Sequence, residues 1–158
     1  MKIIPFSDKF LKDSAQLFAE EYSEGRSYNW DLKTAKKYIK KSTDQFSEYC
    51  FVAVDDKKKF LGSVLCRLDP SYKGYSLYLD SLLVKKEHRH SGVGKALLNS
   101  TFKKAKQKRI RNIELIAYDH TKFPQNWYRK LGFKKTGWIQ YEADVKNIKL
   151  RKTHTKHF

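Results

Sequence analysis

The sequence predicts an α/β domain built on a mixed, largely antiparallel sheet. Three observations carry this reading. Between residues 50 and 84, three runs rich in Val, Leu, Phe and Tyr are separated by turn sequences, as in an antiparallel meander. Stretches with helical spacing of apolar residues lie on both sides of that region. A further strand, "NIELIAY", follows only after a long helix, so it can join the sheet parallel to the third run through a right-handed βαβ crossover.

Taken in order, "KIIPF" reads as a short opening strand. Ser7 or Asp8 can cap a helix in which Leu11, Ala15, Phe18 and Tyr22 recur at helical spacing, ending near Gly25. The loop "GRSYNW" leads to a shorter helix from about Asp31 to Lys41. The strands "YCFVAVD", "FLGSVLCRL" and "YSLYLDSLLV" follow, with "DDKKK" and "DPSYKG" as their turns. A glycine-marked loop opens the long helix, which reaches about Arg109; Gly94, Leu97, Leu98, Thr101 and Ala105 form its inner stripe, with Lys95, Asn99, Lys103 and Lys106 opposite. After "NIELIAY", the segment "PQNWYRKLGF" has Pro124 at a first helical position and Gly132 suited to the left-handed residue past the end. Two more strands, "TGWIQYEAD" and "NIKLRK", precede a basic tail. No repeat or Pro/Gly/Ser-rich linker divides the chain, so one domain is expected over 1–152, with the tail at 153–158.

Composition narrows the class. At 158 residues and 40% hydrophobic, the chain can bury a core without metal or disulfide support. Cys50 and Cys66 have neither metal-ligand nor redox spacing and read as small buried hydrophobes. His88 and His90, two positions apart with no evident third ligand, read as surface residues, so no metal is expected. No signal-peptide h-region and no run near 18 apolar residues is present, so the expected location is the cytoplasm, with no membrane partner. The net charge of +17 implies attraction to phosphate-bearing ligands or polyanions. It is unevenly spread: 85–111 holds ten Lys and Arg against Glu87 alone, while 8–24 holds five acids against Lys9 and Lys12.

The loop "RHSGVGKALL" asks what it binds. A P-loop is excluded because Arg89 stands where its first glycine belongs and Ala96 offers no hydroxyl for Mg²⁺. A dinucleotide fingerprint would need glycine at Leu97. R-x-x-G-x-G remains, met by Arg89, Gly92 and Gly94 between a strand and a helix. There, loop and helix N-terminal N–H groups converge on a pyrophosphate, and Arg89 and Lys95 add formal charge.

With "LDSLLVKKEHRHSGVGKALL" as strand, pyrophosphate arm and helix, and "NWYRKLGF" after the next strand, the chain resembles the GNAT superfamily of N-acetyltransferases. The resemblance implies a sheet of about seven strands, splayed between the fourth and fifth, with helices on both faces and acetyl-CoA in the cleft as acetyl donor. It assigns the acetyl carbonyl and pantetheine arm to the backbone of Leu82, Leu83 and Val84. The diphosphate falls to the segment Arg89, His90, Ser91, Gly92, Val93, Gly94 and Lys95. Tyr128 matches the tyrosine that protonates the leaving thiolate during direct attack in a ternary complex. Thr121 stands where the family often has a cofactor-contacting asparagine, and Pro124 replaces a frequent alanine.

Acetyl transfer to an amine requires a deprotonated amine, donors for the carbonyl oxygen and a stabilised thiolate. Asp80, which interrupts an apolar strand four residues before Val84, is the candidate to take or orient the amine proton, with an ion-paired structural role as the plain alternative. Related polyamine- and diamine-acetylating members carry an acid at this place. His120 is a weaker base candidate. Tyr28 and Trp30 fall in the loop that often walls the family's acceptor pocket, while Trp127 and Trp138 read as core. Glu20, Glu21 and Glu24, with Asp80, can form a cation pocket, so a small primary amine is the expected acceptor and a protein acceptor the alternative. A different class of function, a basic nucleic-acid- or ribosome-binding module, is raised by 85–111 and "KLRKTHTKHF" but lacks interleaved aromatics. A homodimer is compatible with the sequence.

Overall fold

The computed structural model describes residues 1–24, 29–119 and 123–148. It divides into two compact units, Met1–Ile116 and Ala117–Phe158.

In the first unit, β1 (Lys2–Pro5), β2 (Phe51–Val54), β3 (Phe60–Ser71), β4 (Gly74–Val84) and β5 (Asn112–Leu115) form one sheet in the order β1-β2-β3-β4-β5. The first four are antiparallel in turn and β5 joins β4 in parallel, as the meander and crossover predict. The turns obey local chemistry: Asp55 accepts N–H bonds from Lys57 and Lys59 at 2.9 and 2.8 Å, and Gly74 closes the β3–β4 hairpin at φ +101°.

The helices are α1 (Leu11–Ser23), α2 (Leu32–Phe46) and α3 (Val93–Gln107). A short 3₁₀ turn, Asp8–Phe10, precedes α1, so neither Ser7 nor Asp8 caps it; Phe10 is its N-cap. Asp31 caps α2 by accepting the Thr34 N–H at 2.9 Å. That helix runs to Phe46, past its expected end at Lys41, because Ser42 and Thr43 continue its buried stripe after Ala35 and Ile39. Hydroxyls at core positions hide the helical period from a hydrophobicity reading.

Strand alternation separates two apolar layers. Val52, Val54, Leu65 and Leu83 pack with Ala15, Phe18, Ala35 and Ile39 of α1 and α2. The alternating Ala53, Val64 and Cys66 fall outside that cluster, and α3 packs on these strands with Val93, Leu97, Leu98, Thr101 and Ala105 buried. Helices therefore cover both faces. Cys50 and Cys66 are buried and free, and burial pushes the Cys50 thiol up to about 12.

Two features of β4 matter for function. Opposite Leu65 and Cys66 the pairing jumps from Ser81 to Leu79, so Asp80 is the extra residue of a β-bulge. Only Ser76–Leu79 pair with β5; beyond Leu79, β4 continues to Val84 without a partner strand on that edge among the described residues. This is the expected splay between the fourth and fifth strands.

The second unit holds α4 (Gln125–Lys130), ended by a Schellman motif: Phe133 N–H bonds Tyr128 O at 3.1 Å and Gly132 N–H bonds Arg129 O at 3.0 Å, with Gly132 at φ +97°. Pro124 is the N-cap rather than the first helical residue.

The strand count differs from the sequence reading: the described residues form five strands, not about seven. β5 stops at Leu115, short of the full "NIELIAY". The "TGWIQYEAD" segment pairs with nothing in the described residues, and Trp138 and Tyr141, read in the core and in a strand, are 91% and 87% exposed. Trp138, Ile139 and Tyr141 fall on both sides of a strand, so the run has no single apolar face to bury. Most of "NIKLRK" and the tail lie outside the described residues. Among the described residues no helix is long and apolar enough to cross a membrane.

Candidate active site

The glycine loop enters α3 in a form that an anion could occupy. Gly92 is its N-cap at φ +89°, a left-handed conformation that a side chain would strain, and open space lies where its Cβ would stand. The first intrahelical bond runs from Ala96 N–H to Gly92 O at 3.0 Å, so the N–H groups of Val93, Gly94 and Lys95 have no acceptor within the helix. The positive end of the helix dipole lies at this terminus, and Lys95 in its first turn is exposed. His90 is also left-handed, at φ +60°, and Ser91 holds the turn by donating its hydroxyl to His88 O at 2.5 Å. These residues fit a diphosphate, and the free edge of β4 from Asp80 to Val84 fits an extended amide-bearing arm.

The Arg89 side chain is engaged within the chain itself. Its Nε donates to Val84 O at 3.0 Å and its Nη2 pairs with Glu21. Beside it, Lys86 holds Glu24 at 2.6 Å, which keeps the Glu24 carboxyl below its usual range. Glu21 and Glu24, two of the acids expected to attract a cationic acceptor, are thus engaged by the chain's own cations, which tie the end of α1 to the glycine loop, while Glu20 accepts from the Gln16 amide at 2.9 Å.

Asp80 is similarly occupied. Its side chain is 1% exposed; Arg67 pairs with one oxygen and the Ser42 hydroxyl of α2 donates to the other at 2.5 Å. Arg67 also bonds Asp69 at 3.1 and 3.2 Å and lies 4.0 Å over the Tyr78 ring. Burial works against the Arg67 charge, but its bonds to Asp69 and the charge of Asp80 hold its pKa above the usual value. Tyr38 stands by this network; burial first, and the Asp80 charge second, push its hydroxyl up to about 12.

Trp30 packs edge-on to Phe18 at 4.9 Å and to Tyr38 at 5.7 Å, while its backbone N–H donates to the Ser23 hydroxyl at 2.8 Å. It joins an aromatic group at the edge of the core, contiguous with the Asp80 network through Tyr38. In the second unit, Tyr128 lies on α4, half-buried, with its ring 5.4 Å from Phe133 and 5.2 Å from Trp127. Tyr28, His120 and Thr121 lie outside the described residues. Among the described residues, no three His, Cys, Asp or Glu are grouped to hold a metal.

Sequence reasoning missed Arg67, Ser42 and Lys86. Arg67 interrupts an apolar strand just as Asp80 does, and pairing the two interruptions across the hairpin was the available signal. Ser42 carried no such signal.

The profile of the "Acetyltransferase (GNAT) family" matches residues 13–133. N-alpha-acetyltransferase 30 of Schizosaccharomyces pombe is 30% identical over 133 residues, covering 83% of this chain and 82% of that protein. Human N-acetyltransferase 8B is 30% identical over 129 residues but only 56% of its length is covered. Among solved structures, Arabidopsis thaliana Naa50 in complex with the bisubstrate analogue CoA-Ac-MVNAL superposes with TM-score 0.68 and 20% identity, over 92% of this chain and 91% of that one. The aminoglycoside 6'-N-acetyltransferase of Acinetobacter haemolyticus gives TM-score 0.71 and 20% identity, over 91% and 98%. These two structures share the fold.

Proposed function

The chain belongs to the acetyltransferase (GNAT) family and is an acetyl-CoA-dependent N-acetyltransferase, and from that premise we propose that its acceptor is the α-amino group at the N-terminus of a peptide or protein. The observation that carries this reading is the engagement of Asp80. A buried carboxylate held by Arg67 and Ser42 is neither a free base nor a seat for a second cation. The acceptor must then arrive substantially deprotonated. At pH 7.5 an alkylamine of pKa about 10.4 is roughly 0.1% free base, whereas an α-amine near 8 is roughly a quarter, a difference of about 200-fold. Glu21 and Glu24, paired with Arg89 and Lys86, leave a polycation little to bind. The curated relative is named as an N-alpha-acetyltransferase, and the Naa50 analogue carries a peptide.

When bound, acetyl-CoA supplies a thioester whose acetyl group passes to the amine nitrogen as the C–S bond breaks. The N–H groups from His90 to Lys95 hold its diphosphate, and backbone groups of Leu82, Leu83 and Val84 hold the acetyl carbonyl and the adjoining arm. Tyr128 gives its proton to the departing sulfur, and the amine's proton leaves to water. Trp30, with Phe18 and Tyr38, walls the first acceptor residue. Asp80 positions this wall through Ser42 rather than acting as the base.

The test is thiol release with three acceptors: a peptide with a free N-terminus, the same peptide N-terminally blocked but carrying lysine, and spermidine. The expected kcat/KM for the first exceeds the others by about 100-fold or more and rises with pH through about 8. Preferred turnover of spermidine or the blocked peptide overturns the acceptor class and leaves the acetyltransferase assignment standing.

A further inference from the structure

The solvent face of α3 carries charge that the acetyl-CoA cradle does not use. Lys103 and Lys106 lie on its exposed stripe, and Arg109 and Arg111 follow in the segment between the helix end and β5. All four are exposed, and none forms an ion pair among the described residues. Elsewhere some cations find acids, Lys40 with Asp44, Lys86 with Glu24, Arg89 with Glu21 and Lys135 with Asp119, while others, Lys2, Lys12, Lys33 and Lys37 among them, form no ion pair among the described residues. Within this row only Lys108 pairs with an acid, Glu48 at 3.0 Å.

Two ordinary explanations cover part of this. Cations in a last helical turn oppose the dipole, which accounts for Lys104 and Lys106. It does not account for Lys103, nor for Arg109 and Arg111 past the helix end. Solubility accounts for exposed charge, not for a single-sign row almost without acids.

The row also lacks what other partners need. The apolar stripe of α3, Val93, Leu97, Leu98, Thr101 and Ala105, is buried, so this helix has no apolar face to sink into a lipid surface. A protein interface is anchored by large aromatic or aliphatic residues, and between these cations the half-buried Ile110 is the one large apolar side chain. A phosphate backbone requires only cations in line. An RNA duplex is recognised largely through its backbone and shape, because its deep groove is closed to side chains.

We propose that Lys103, Lys106, Arg109 and Arg111 form a docking surface for the phosphate backbone of double-stranded RNA, a binding activity separate from acetyl transfer. From Lys95 at the cradle to Lys106 the helix rises about 16 Å, so the row lies away from the bound diphosphate. Both ligands then bind together.

The experiment uses the full chain and a fluorescent RNA duplex of about 16–20 base pairs, with anisotropy read across a salt series. Replacing Lys103, Lys106, Arg109 and Arg111 by Gln is expected to lower the slope of log K against log salt by roughly 3–4, about one for each phosphate no longer neutralised. A control replacing the equally exposed Lys2, Lys12, Lys33 and Lys37 by Gln removes the same formal charge and is expected to keep most of the slope. Calorimetry with acetyl-CoA confirms that both variants remain folded, and the milder Arg109→Gln/Arg111→Gln pair serves if the fourfold variant does not. Equal reductions in the two sets overturn the docking row. Tighter binding of a DNA duplex, or row-dependent binding of phosphatidylserine vesicles without RNA binding, overturns the choice of partner.

Discussion

Gly62→Ala tests whether close packing of β3 fixes the strand proposed to hold acetyl-CoA. Gly62 pairs with Val84 and Ser63 with Leu83, and a Cβ at Gly62 would stand 2.4 Å from the Leu83 carbonyl oxygen and 3.1 Å from the Val84 Cα. Ordinary C···O contacts run at roughly 3.3–3.6 Å, so the strands must part by about 1 Å. Both obstructing atoms are backbone and cannot swing aside. Overpacking of this kind costs about 1–3 kcal/mol, and each kcal/mol lowers the melting temperature of a domain this size by about 2–4 °C, giving a fall of roughly 2–12 °C. The displaced atoms belong to the backbone proposed to bind the acetyl group, and a 1 Å misplacement there costs about 100-fold in rate. Calorimetric melting, acetyl-CoA titration and steady-state peptide acetylation measure the three effects. Gly74→Ala is the control: at φ +101° with open space around it, it carries backbone strain of about 1–2 kcal/mol at the far hairpin tip and leaves acetyl-CoA binding intact. A Gly62→Ala protein that melts and turns over like the parent refutes the reasoning.

The glycine loop responds oppositely to a substitution that blocks approach rather than packing: Gly92→Val strains φ +89° and weakens acetyl-CoA binding at least about tenfold by calorimetry, with kcat at saturation less affected. Tyr128→Phe keeps the ring contacts with Phe133 and Trp127 but removes the proposed proton donor, so kcat is expected to fall about 100-fold or more while acetyl-CoA affinity holds. Arg67→Ala leaves the Asp80 charge buried without its partner and costs about 3 kcal/mol in denaturant unfolding, the low end for buried pairs because the Arg67 side chain is 23% exposed; adding Asp80→Asn recovers part of the loss. Tyr38, raised from 10 to about 12, contributes stability that is complete below pH 10 and is lost as pH rises toward 12. Melting temperatures of the parent should therefore drop more steeply over that window than those of Tyr38→Phe.

Most of the first unit was legible because its signals are local. The turn chemistry of Asp55 and Gly74 sits inside the hairpins it forms, and the α3 stripe from Leu97 to Ala105 needs only one helical period. The glycine loop was legible for the same reason, since Gly92 supplies its own left-handed backbone. What escaped was long-range. Arg89 meets Glu21 across 68 positions, and Ser42 reaches Asp80 across 38 positions. Hydroxyls at core positions mask the end of α2, and the β-prone residue types of 136–144 point to a strand that their alternation does not support.

The bulge at Asp80 links fold and chemistry, and it limits how mutational loss at this residue is interpreted. Arg67 covers the Tyr78 ring and pairs with Asp80, so these β4 side chains share a face, the one that meets Ser42 of α2. Leu83, three positions on, packs into the α1–α2 layer as well. Strict alternation forbids that; one extra residue restores it by reversing the parity of all that follows. The Arg67–Asp80 pair therefore stands where β4 changes register, just before its edge becomes free of β5. Loss of turnover in Asp80→Asn alone is compatible with a shifted strand and with a missing base. A cycle over Arg67 and Asp80 separates them: a base is lost whether or not Arg67 is present, whereas a strand held by the pair loses little more when the second partner follows the first.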